Sequence, residues 1–208
     1  MTTPSWDWAY AESNQAPWDI GRPQPGFVRL ADAGLLAGRV LDSGCGTGEH
    51  TLLAASSGAD ALGIDISPLA IELARGKAAA RGVKARFEVA NVLSLADLGL
   101  TFDTIIDSGL FHVFDDDRRA RYVRSLASVL RPGGTCYLMC FSDRQPGTVG
   151  PRRVSEAELR GAFSDGWTVR SVVADTFDLK PGPFFDPPTA QAWRAAIVRD
   201  AQARGLSR

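Results

Sequence analysis

Three glycines at alternate positions give the chain its most chemically suggestive segment, residues 40–48 (VLDSGCGTG). Glycine has no Cβ, so Gly44, Gly46 and Gly48 let the main chain turn tightly and pass close to a bound ligand. The apolar start of the segment is typical of a buried strand, and a helix beginning near Glu49 would present free N–H groups to the loop. The segment therefore predicts a ligand-binding turn, although a tight turn without a ligand could use the same residues.

The spacing of these glycines, and the acid behind them, narrow the choice of ligand. A dinucleotide loop reads G-x-G-x-x-G, whereas this loop reads G-x-G-x-G. Glu49 stands at the helix start, where a carboxylate would repel a diphosphate and tolerate a cationic sulfonium. The pattern thus favours a nucleoside without phosphates over a dinucleotide.

Polar residues follow the next three predicted strands, and their types suit the parts of a nucleoside. Asp65, in GIDIS, could accept hydrogen bonds from both ribose hydroxyls, or it could be a helix cap. Asn91, in ANV, could accept from an adenine amino group, or it could satisfy its own turn. Ser108, in DSGLFH, stands where the reactive end of the ligand would meet an acceptor, or it simply ends a strand.

Four residues are candidates for contact with that acceptor. His112 could act as a general base for a phenol, thiol or ring nitrogen, or it could be a buried structural histidine. Arg152, beside Arg153, could hold an anionic substrate or lie solvated on the surface. Tyr10 and Phe184 stand in segments expected to overhang the site, and Phe184 could equally be a hydrophobic plug.

Apolar runs that alternate with helical periods indicate the elements that must position these residues. Several runs are apolar at consecutive positions, as in strands covered on both faces. The alternation predicts an α/β, Rossmann-like, doubly wound sheet of seven strands. The predicted strands are residues 39–45, 60–66, 85–92, 102–108, 135–141, 168–177 and 192–198. The helix signals between them are Ser67-Pro68 with Gly82, the acids at 115–117 with Pro132-Gly133-Gly134, and a capping box of Ser155 and Glu158.

The two ends of the chain depart from this alternation. The last two runs are joined by residues 178–190, which hold no crossover helix, so strands 1–5 should be parallel and the last strand antiparallel. Residues 1–24 hold three of the 5 tryptophans and should form an irregular arm, followed by a helix near residues 25–34. The predicted organisation is this arm, residues 1–24, and one domain, residues 25–208.

Composition and charge argue against several classes of protein. The 23 basic and 24 acidic side chains give a net charge of −1, which offers no basic face for nucleic acid. No apolar run reaches the roughly 18–20 residues that span a bilayer, and the first residues lack the pattern of a signal peptide. The C-x3-C spacing of Cys136 and Cys140 is a poor metal signature. We therefore expect a cytoplasmic protein with reduced thiols, without a metal, nucleic acid or membrane partner, as a monomer or homodimer.

Five segments, in this order, make the chain resemble the class I S-adenosylmethionine-dependent methyltransferases over about residues 35–200: LDSGCGTG, GIDIS, ANV, FDTIIDSGLFH and LRPGG. The resemblance implies S-adenosylmethionine as cofactor, S-adenosylhomocysteine as product, and no metal. The residues expected to contact the cofactor are Trp18, Asp42, Gly44, Cys45, Gly46, Asp65, Ile66, Asn91, Val92 and Ser108. Asp42 could equally organise the loop amides, and Asn91 replaces the family's usual aspartate but keeps an acceptor oxygen.

The arm carries a second resemblance. Residues 17–23 (PWDIGRP) resemble the N-terminal segment of the thiopurine methyltransferase-like, small-molecule branch. This implies that residues 1–24 form an aromatic lid, in which Trp18 closes over the cofactor; core or dimer contacts are the alternative. The expected activity is in-line methyl transfer to the oxygen, nitrogen or sulfur of a small aromatic or heterocyclic acceptor. The alternative is a cofactor-binding module without transferase activity that acts through a partner, and an NAD-dependent oxidoreductase is a poor third.

Overall fold

Seven strands form one mixed sheet in the computed structural model, which describes residues 6–11, 16–182 and 185–201. The strand order is β3-β2-β1-β4-β5-β7-β6. The strands are β1 (Arg39–Ser43), β2 (Asp60–Asp65), β3 (Arg86–Val89), β4 (Phe102–Ser108), β5 (Leu130–Phe141), β6 (Trp167–Asp178) and β7 (Thr189–Arg199). Strands β1 to β5 are parallel, and β7 runs antiparallel between β5 and β6. The predicted Rossmann-like sheet with an antiparallel last strand is confirmed.

The helices follow the capping signals in the sequence. Ser67 accepts a hydrogen bond from the Ala70 amide at 3.1 Å, and Gly82 closes the same helix with a φ of +65°. Ser155 and Glu158 form the predicted capping box. The helices are α1 (Asp7–Tyr10), α2 (Pro25–Asp32), α3 (Glu49–Ser56), α4 (Pro68–Arg81), α5 (Asp116–Val129) and α6 (Glu156–Ala162), with 3-10 helices at Val92–Leu98 and Phe111–Val113.

The end of α5 corrects one prediction. The sequence predicts that Pro132-Gly133-Gly134 stops this helix, but the helix ends earlier, at Val129. Leu130 already pairs with Phe102, and the next registered pair joins Thr104 to Thr135. The Pro-Gly-Gly turn is therefore a bulge within β5, because proline and glycine are tolerated in a sheet where the ladder is interrupted.

The arm corrects a second prediction, since residues 1–24 were expected to hold no regular element before α2. Asp7–Tyr10 forms one helical turn that packs on α4. The Ser67 hydroxyl donates to the Asp7 carboxylate, and the Leu69 amide donates to the same carboxylate at 3.2 Å. A carboxylate at a helix N-terminus is favoured by the unpaired amides there, so α4 stabilises the turn.

The sheet is buried on both faces. Ile105 packs with α5 and α6 on one face, and its neighbour Ile106 packs with α2 on the other, both with no exposed surface. Consecutive apolar residues in the central strands therefore serve two cores. No helix in the described part of the chain is both long and apolar enough to cross a membrane. Within the same residues, no group of three or more His, Cys, Asp or Glu side chains could hold a metal ion.

Candidate functional site

The strand order reverses between β1 and β4, which opens a crevice at the carboxyl ends of the strands, where open α/β sheets bind their ligands. Strand β1 ends at Ser43, β2 at Asp65 and β4 at Ser108. The parallel register therefore brings the glycine loop, the predicted ribose acceptor and the segment that leads to His112 to one edge of the sheet.

The glycine loop is strained for any other residue and is closely covered. Gly44, Gly46 and Gly48 have φ values of +73°, +51° and +88°, a region that favours glycine. A Cβ on Gly46 would lie 2.8 Å from the Tyr10 hydroxyl, and a Cβ on Gly44 would lie 2.9 Å from a Leu110 methyl carbon. Tyr10 of the arm and Leu110 after β4 thus cover the loop.

Asp65 is held with its carboxylate at the loop. Its Oδ2 accepts from the Gly46 amide at 2.9 Å, and its Oδ1 accepts from the Ser67 amide at 2.9 Å. Burial raises the pKa of this carboxyl above its ordinary value, although the backbone hydrogen bonds oppose the rise. A carboxylate has about four lone-pair positions, so one position remains on each oxygen. Two remaining acceptors suit the two hydroxyls of a ribose.

The neighbouring residues could accommodate a purine. Ile66 follows Asp65 with 54% of its surface exposed, which is unusual for isoleucine at the edge of a core. Asn91 is exposed and its side chain accepts from the Leu93 amide at 3.0 Å, so it caps its own turn. Val92 is buried and Ser108 is half-buried. The cofactor contacts assigned to these residues stay predictions, and Asn91 has one lone pair left for an amino group.

Asp42 lies beneath the loop. Its Oδ2 accepts from the Thr51 hydroxyl at 2.7 Å, and burial raises the pKa of its carboxyl to about 7. The Cys45 thiol is buried as well, and burial raises its pKa. Asp42 thus ties β1 to α3, which favours the organising role that the sequence left open over direct contact with a ligand.

Glu49 corrects the electrostatic argument made from the sequence. Its carboxylate pairs with the Lys77 ammonium at 2.8 Å and with the Arg81 guanidinium at 2.7 Å. These two cations neutralise the acid at the start of α3, so Glu49 does not repel a diphosphate. Lys77 also donates to the Thr47 hydroxyl, and that hydroxyl donates to Asp19 at 2.9 Å, so the arm is tied to the glycine loop.

His112 is buried at the carboxyl end of β4 with one nitrogen engaged. Its Nδ1 accepts from the Phe141 amide at 2.9 Å, which leaves Nε2 as the nitrogen that carries the proton. Burial, then the positive charges of Arg119 and Arg153, lower the pKa of His112 to about 3. A base needs a free lone pair facing its substrate, so the geometry argues against the general-base prediction and makes His112 a hydrogen-bond donor.

The other acceptor-side candidates lie in different places. Arg152 is bound to Asp116 and Glu158 on the outer side of α5 and α6, so its charge is compensated. Its neighbour Arg153, which was predicted together with it, lies over the Phe141 ring, 5.4 Å from the ring centroid, and is the cation nearer the candidate site. Phe184 lies outside the described residues.

Trp18 and Tyr10 of the arm meet at the glycine loop. The Trp18 indole nitrogen lies 3.5 Å from the Tyr10 hydroxyl, and the Trp18 ring packs edge-on against Trp6. Burial, then the nearby Asp65 carboxylate, raise the pKa of Tyr10 above its ordinary value, so its hydroxyl stays protonated. The contact of Trp18 with a cofactor and of Tyr10 with a substrate stay predictions.

Two residues of the site were missed in the sequence. Phe141 and Phe177 lie 5.0 and 6.1 Å from His112, measured between ring centroids. Both end predicted strands, and that position was the available signal, because parallel strand ends meet at one edge. Their apolar character made them look like ordinary core residues.

His50 attaches the start of α2 to α3 and makes folding sensitive to acid. Its Nε2 accepts from the Gln24 amide at 3.1 Å, and burial lowers its pKa from 6.5 to about 4. The unfolded chain therefore binds more protons than the folded chain between these two values, so stability is full above pH 6.5 and is lost as the pH falls towards 4.

We expect His50→Gln to reduce this loss by about 2 kcal/mol, because glutamine still accepts from Gln24 but does not titrate. The check is the free energy of unfolding in urea at pH 7 and pH 4.5 for both proteins. His112 remains in the variant as a second source of acid sensitivity, so a smaller difference should persist. An identical loss in variant and parent would contradict the prediction.

Comparisons with known proteins show what the chain is similar to. The model of a family described as "Methyltransferase domain" matches residues 40–134. The chain is 40% identical over 159 residues to the 2-heptyl-1-hydroxyquinolin-4(1H)-one methyltransferase of Mycobacteroides abscessus, which covers 75% of this chain and 70% of that protein. It is 29% identical to the probable thiol methyltransferase 2 of Arabidopsis thaliana, over 83% of this chain and 76% of that one. A solved structure described as "Conversion of a Disulfide Bond into a Thioacetal Group during Echinomycin Biosynthesis" superposes with a TM-score of 0.81 and 37% identity, covering 93% of this chain and 89% of that one.

Proposed function

We propose, from the premise that this chain belongs to the class I S-adenosylmethionine-dependent methyltransferases, that it methylates a heteroatom of a small, flat heteroaromatic acceptor of the hydroxyquinolone type. The chain is an enzyme that acts on a small molecule, and its cofactor is S-adenosylmethionine. The observation that carries the finer proposal is the aromatic enclosure around His112, next to the glycine loop.

The residues at the crevice fit the cofactor. Asp65 keeps two acceptor positions for a diol, and the exposed Ile66 offers an apolar face for a purine. When bound, the cofactor supplies an electrophilic methyl group on a sulfonium. This chain must align the acceptor with the methyl group and keep water out of the site, because in-line transfer needs both.

The acceptor enclosure is built from three phenylalanines at the same edge. The Phe141 ring lies 5.5 Å from Phe177 and 6.0 Å from Phe185, and His112 packs edge-on against Phe141. Such rings bind flat aromatic molecules through offset or edge contacts. The rings are apolar, and the polar groups beside them are His112 and the Arg153 guanidinium over Phe141, so a planar ring with one or two polar atoms matches them.

The arm supports the same proposal as a lid. Tyr10 reaches the middle glycine of the loop, Asp19 is bound to Thr47, and the Pro17 carbonyl accepts from the Lys180 amide at 2.7 Å. The arm therefore bridges the cofactor loop and the segment after β6 that leads to the enclosure. We propose that residues 1–24 close over both ligands, as the second resemblance in the sequence implies.

The test is methyl transfer from labelled S-adenosylmethionine to a panel of 1-hydroxyquinolin-4-one, a phenol, a thiophenol and a thiopurine. We expect the hydroxyquinolone to be methylated with the highest kcat/KM of the panel. Binding of S-adenosylhomocysteine should be measured by calorimetry on the same preparation. Tight cofactor binding without transfer to any member would overturn the proposal and favour a binding module that acts through a partner.

The choice of acceptor has its own control. Phe177→Leu keeps the apolar character of the enclosure but removes a ring that lies 6.1 Å from His112. Stacking between two aromatic rings is worth about 0.5–1.5 kcal/mol, so KM for the hydroxyquinolone should rise about twofold to tenfold. Cofactor affinity should stay unchanged, because Phe177 lies on the acceptor side.

A further inference from the structure

The acceptor end of the site carries positive charge and a fixed donor, and none of its described side chains is free to act as a base. We infer that the acceptor binds as its conjugate base, a heteroaromatic anion, and that the Nε2–H group of His112 donates a hydrogen bond to an oxygen of that anion. This inference deepens the proposed function and rests on it. The substrate class is then acceptors that ionise near neutral pH. Three residues would select among such acceptors: His112, Arg119 and Arg153.

The residues around His112 fix the direction of its Nε2–H group. The Phe141 amide fixes Nδ1 of His112 at 2.9 Å, and the Phe141 ring supports the imidazole edge-on. A Cβ on Gly109 would lie 3.5 Å from Nε2 and 3.7 Å from the Phe177 ring. The Nε2 end thus faces the glycine that follows β4, at the carboxyl edge where the acceptor must sit. A donor held in this way can hydrogen-bond to one oxygen of an acceptor ring without removing a proton from the acceptor.

Arg153 supplies the first positive charge. Its guanidinium donates to the carbonyls of Pro151 at 2.6 Å and Val149 at 2.9 Å, and to three more carbonyls between residues 145 and 147. No carboxylate of the described residues forms an ion pair with it. Carbonyls satisfy its N–H groups but do not cancel its charge, so the loop before α6 holds a net positive charge above the Phe141 ring.

Arg119 supplies the second positive charge, from α5. The residue is 5% exposed, and its guanidinium lies 4.5 Å from the centre of the Phe111 ring. The nearest carboxylates, on Asp116 and Glu158, are both 3.9 Å away, and its Nε has no hydrogen-bond partner in the described part of the chain. Since Arg152 engages those same two carboxylates at closer range, Arg119 is only weakly compensated.

The nearby acid does not cancel these charges. Asp107, at the end of β4, accepts from the Leu110 amide at 2.8 Å and from the Phe111 amide, and its Oδ2 lies 3.0 Å from the Tyr122 hydroxyl. Burial raises its pKa to about 6, and its donors hold it towards the core. Cys140 on β5 is a buried thiol whose pKa burial raises. The groups that act on His112 are therefore the two guanidiniums, and a charge effect in an apolar site is stronger than in water.

The chemistry balances without a protein base. The acceptor gives its proton to solvent before it binds. Its heteroatom lone pair then forms the new bond to the methyl carbon, while the carbon–sulfur bond breaks and that electron pair stays on sulfur. One negative and one positive charge become two neutral products, so the positive field of Arg119 and Arg153 serves to bind the anion rather than to drive the displacement. His112 touches the substrate and keeps its own proton throughout.

The direct test uses a chromophoric phenol or N-hydroxy heterocycle whose ionised form has its own absorption band. It is titrated with pH in the presence of excess enzyme and S-adenosylhomocysteine. We expect the ratio of ionised to neutral acceptor to be at least about tenfold higher in the bound state than in free solution at the same pH. His112→Leu should remove most of this gain and lower kcat/KM about tenfold to a hundredfold. His112→Asn, whose amide can accept from Phe141 and still donate, should recover part of both. An unchanged or smaller ionised fraction on the wild-type protein overturns the inference.

A second measurement separates this failure from failure of the proposed function. The pH profile of kcat/KM is recorded for three acceptors that share one ring but differ in acidity. The rising limb should follow the pKa of each acceptor, so its midpoint moves from one to the next. A midpoint that stays fixed reports a protein base and overturns the inference, while the methyl transfer itself still supports the proposed function. No transfer to any acceptor, with S-adenosylhomocysteine still bound, overturns the proposed function as well.

Discussion

Asp65→Ala should weaken the binding of S-adenosylhomocysteine by about a hundredfold or more. The carboxylate has two acceptor positions left for ligand hydroxyls, and each hydrogen bond to a charged group is worth about 1.5–3 kcal/mol. The substitution also leaves the Gly46 and Ser67 amides without the acceptors they have at 2.9 Å, so the loop itself loses its anchor. Isothermal titration calorimetry measures the change directly.

Asp60 provides a matched control at the other end of the same strand. Its carboxylate is 54% exposed and pairs with Arg39 and Arg86 at the surface. Exposed ion pairs of this kind contribute at most about 1 kcal/mol. Asp60→Ala should therefore bind S-adenosylhomocysteine as the parent does. If a folded Asp65→Ala protein keeps the parent's affinity, Asp65 does not hold the cofactor.

Gly63→Ala should be the most destabilising single methyl group that can be added to β2. A Cβ at this position would lie 2.5 Å from the Thr51 hydroxyl, 2.9 Å from the Cys45 sulfur and 2.9 Å from the Phe87 ring. Overpacking in a rigid core costs about 1–3 kcal/mol, and displacement of Thr51 also breaks its hydrogen bond to Asp42. For a domain of this size we expect the melting temperature to fall by about 2–12 °C.

The same substitution at Gly76 should have the opposite sign. Gly76 lies on the exposed side of α4, and a Cβ there would have no heavy atom within 4 Å. Alanine is better than glycine in a helix interior by about 0.5–1 kcal/mol, so Gly76→Ala should raise the melting temperature by about 2 °C. Equal changes in the two variants, measured by calorimetry, would show that the space around Gly63 relaxes freely.

The fold could be predicted because its signals are local. Ser67 and Gly82 mark one helix by their own backbone preferences, and Ile105 with Ile106 shows burial on both faces of a strand. The placement of the glycine loop and of Asp65 at one edge could be predicted for the same reason, since both stand at the ends of strands that must meet. The family resemblance rested on these segments, and the relatives confirm it.

The remaining features depend on contacts between distant residues. The orientation of His112 depends on the Phe141 amide, 29 positions along the chain, and no spacing pattern in the sequence indicates that contact. The helical turn of the arm depends on Ser67 and Leu69, and the compensated charge of Glu49 depends on Lys77 and Arg81. Only the last carried a readable signal, because two basic residues four positions apart share one face of a helix.

The tryptophans of this chain fall into two groups with different surroundings. In the arm, Trp6, Trp8 and Trp18 are 39%, 70% and 46% exposed, whereas Trp167 and Trp193 in the sheet are 6% and 5% exposed. Intrinsic fluorescence should therefore contain a long-wavelength component open to acrylamide and a shielded component at shorter wavelength. Ligand binding that closes the arm would blue-shift and protect the first component alone, while unfolding would alter both. The chain thus carries its own optical reporter, which can distinguish closure from denaturation without a label.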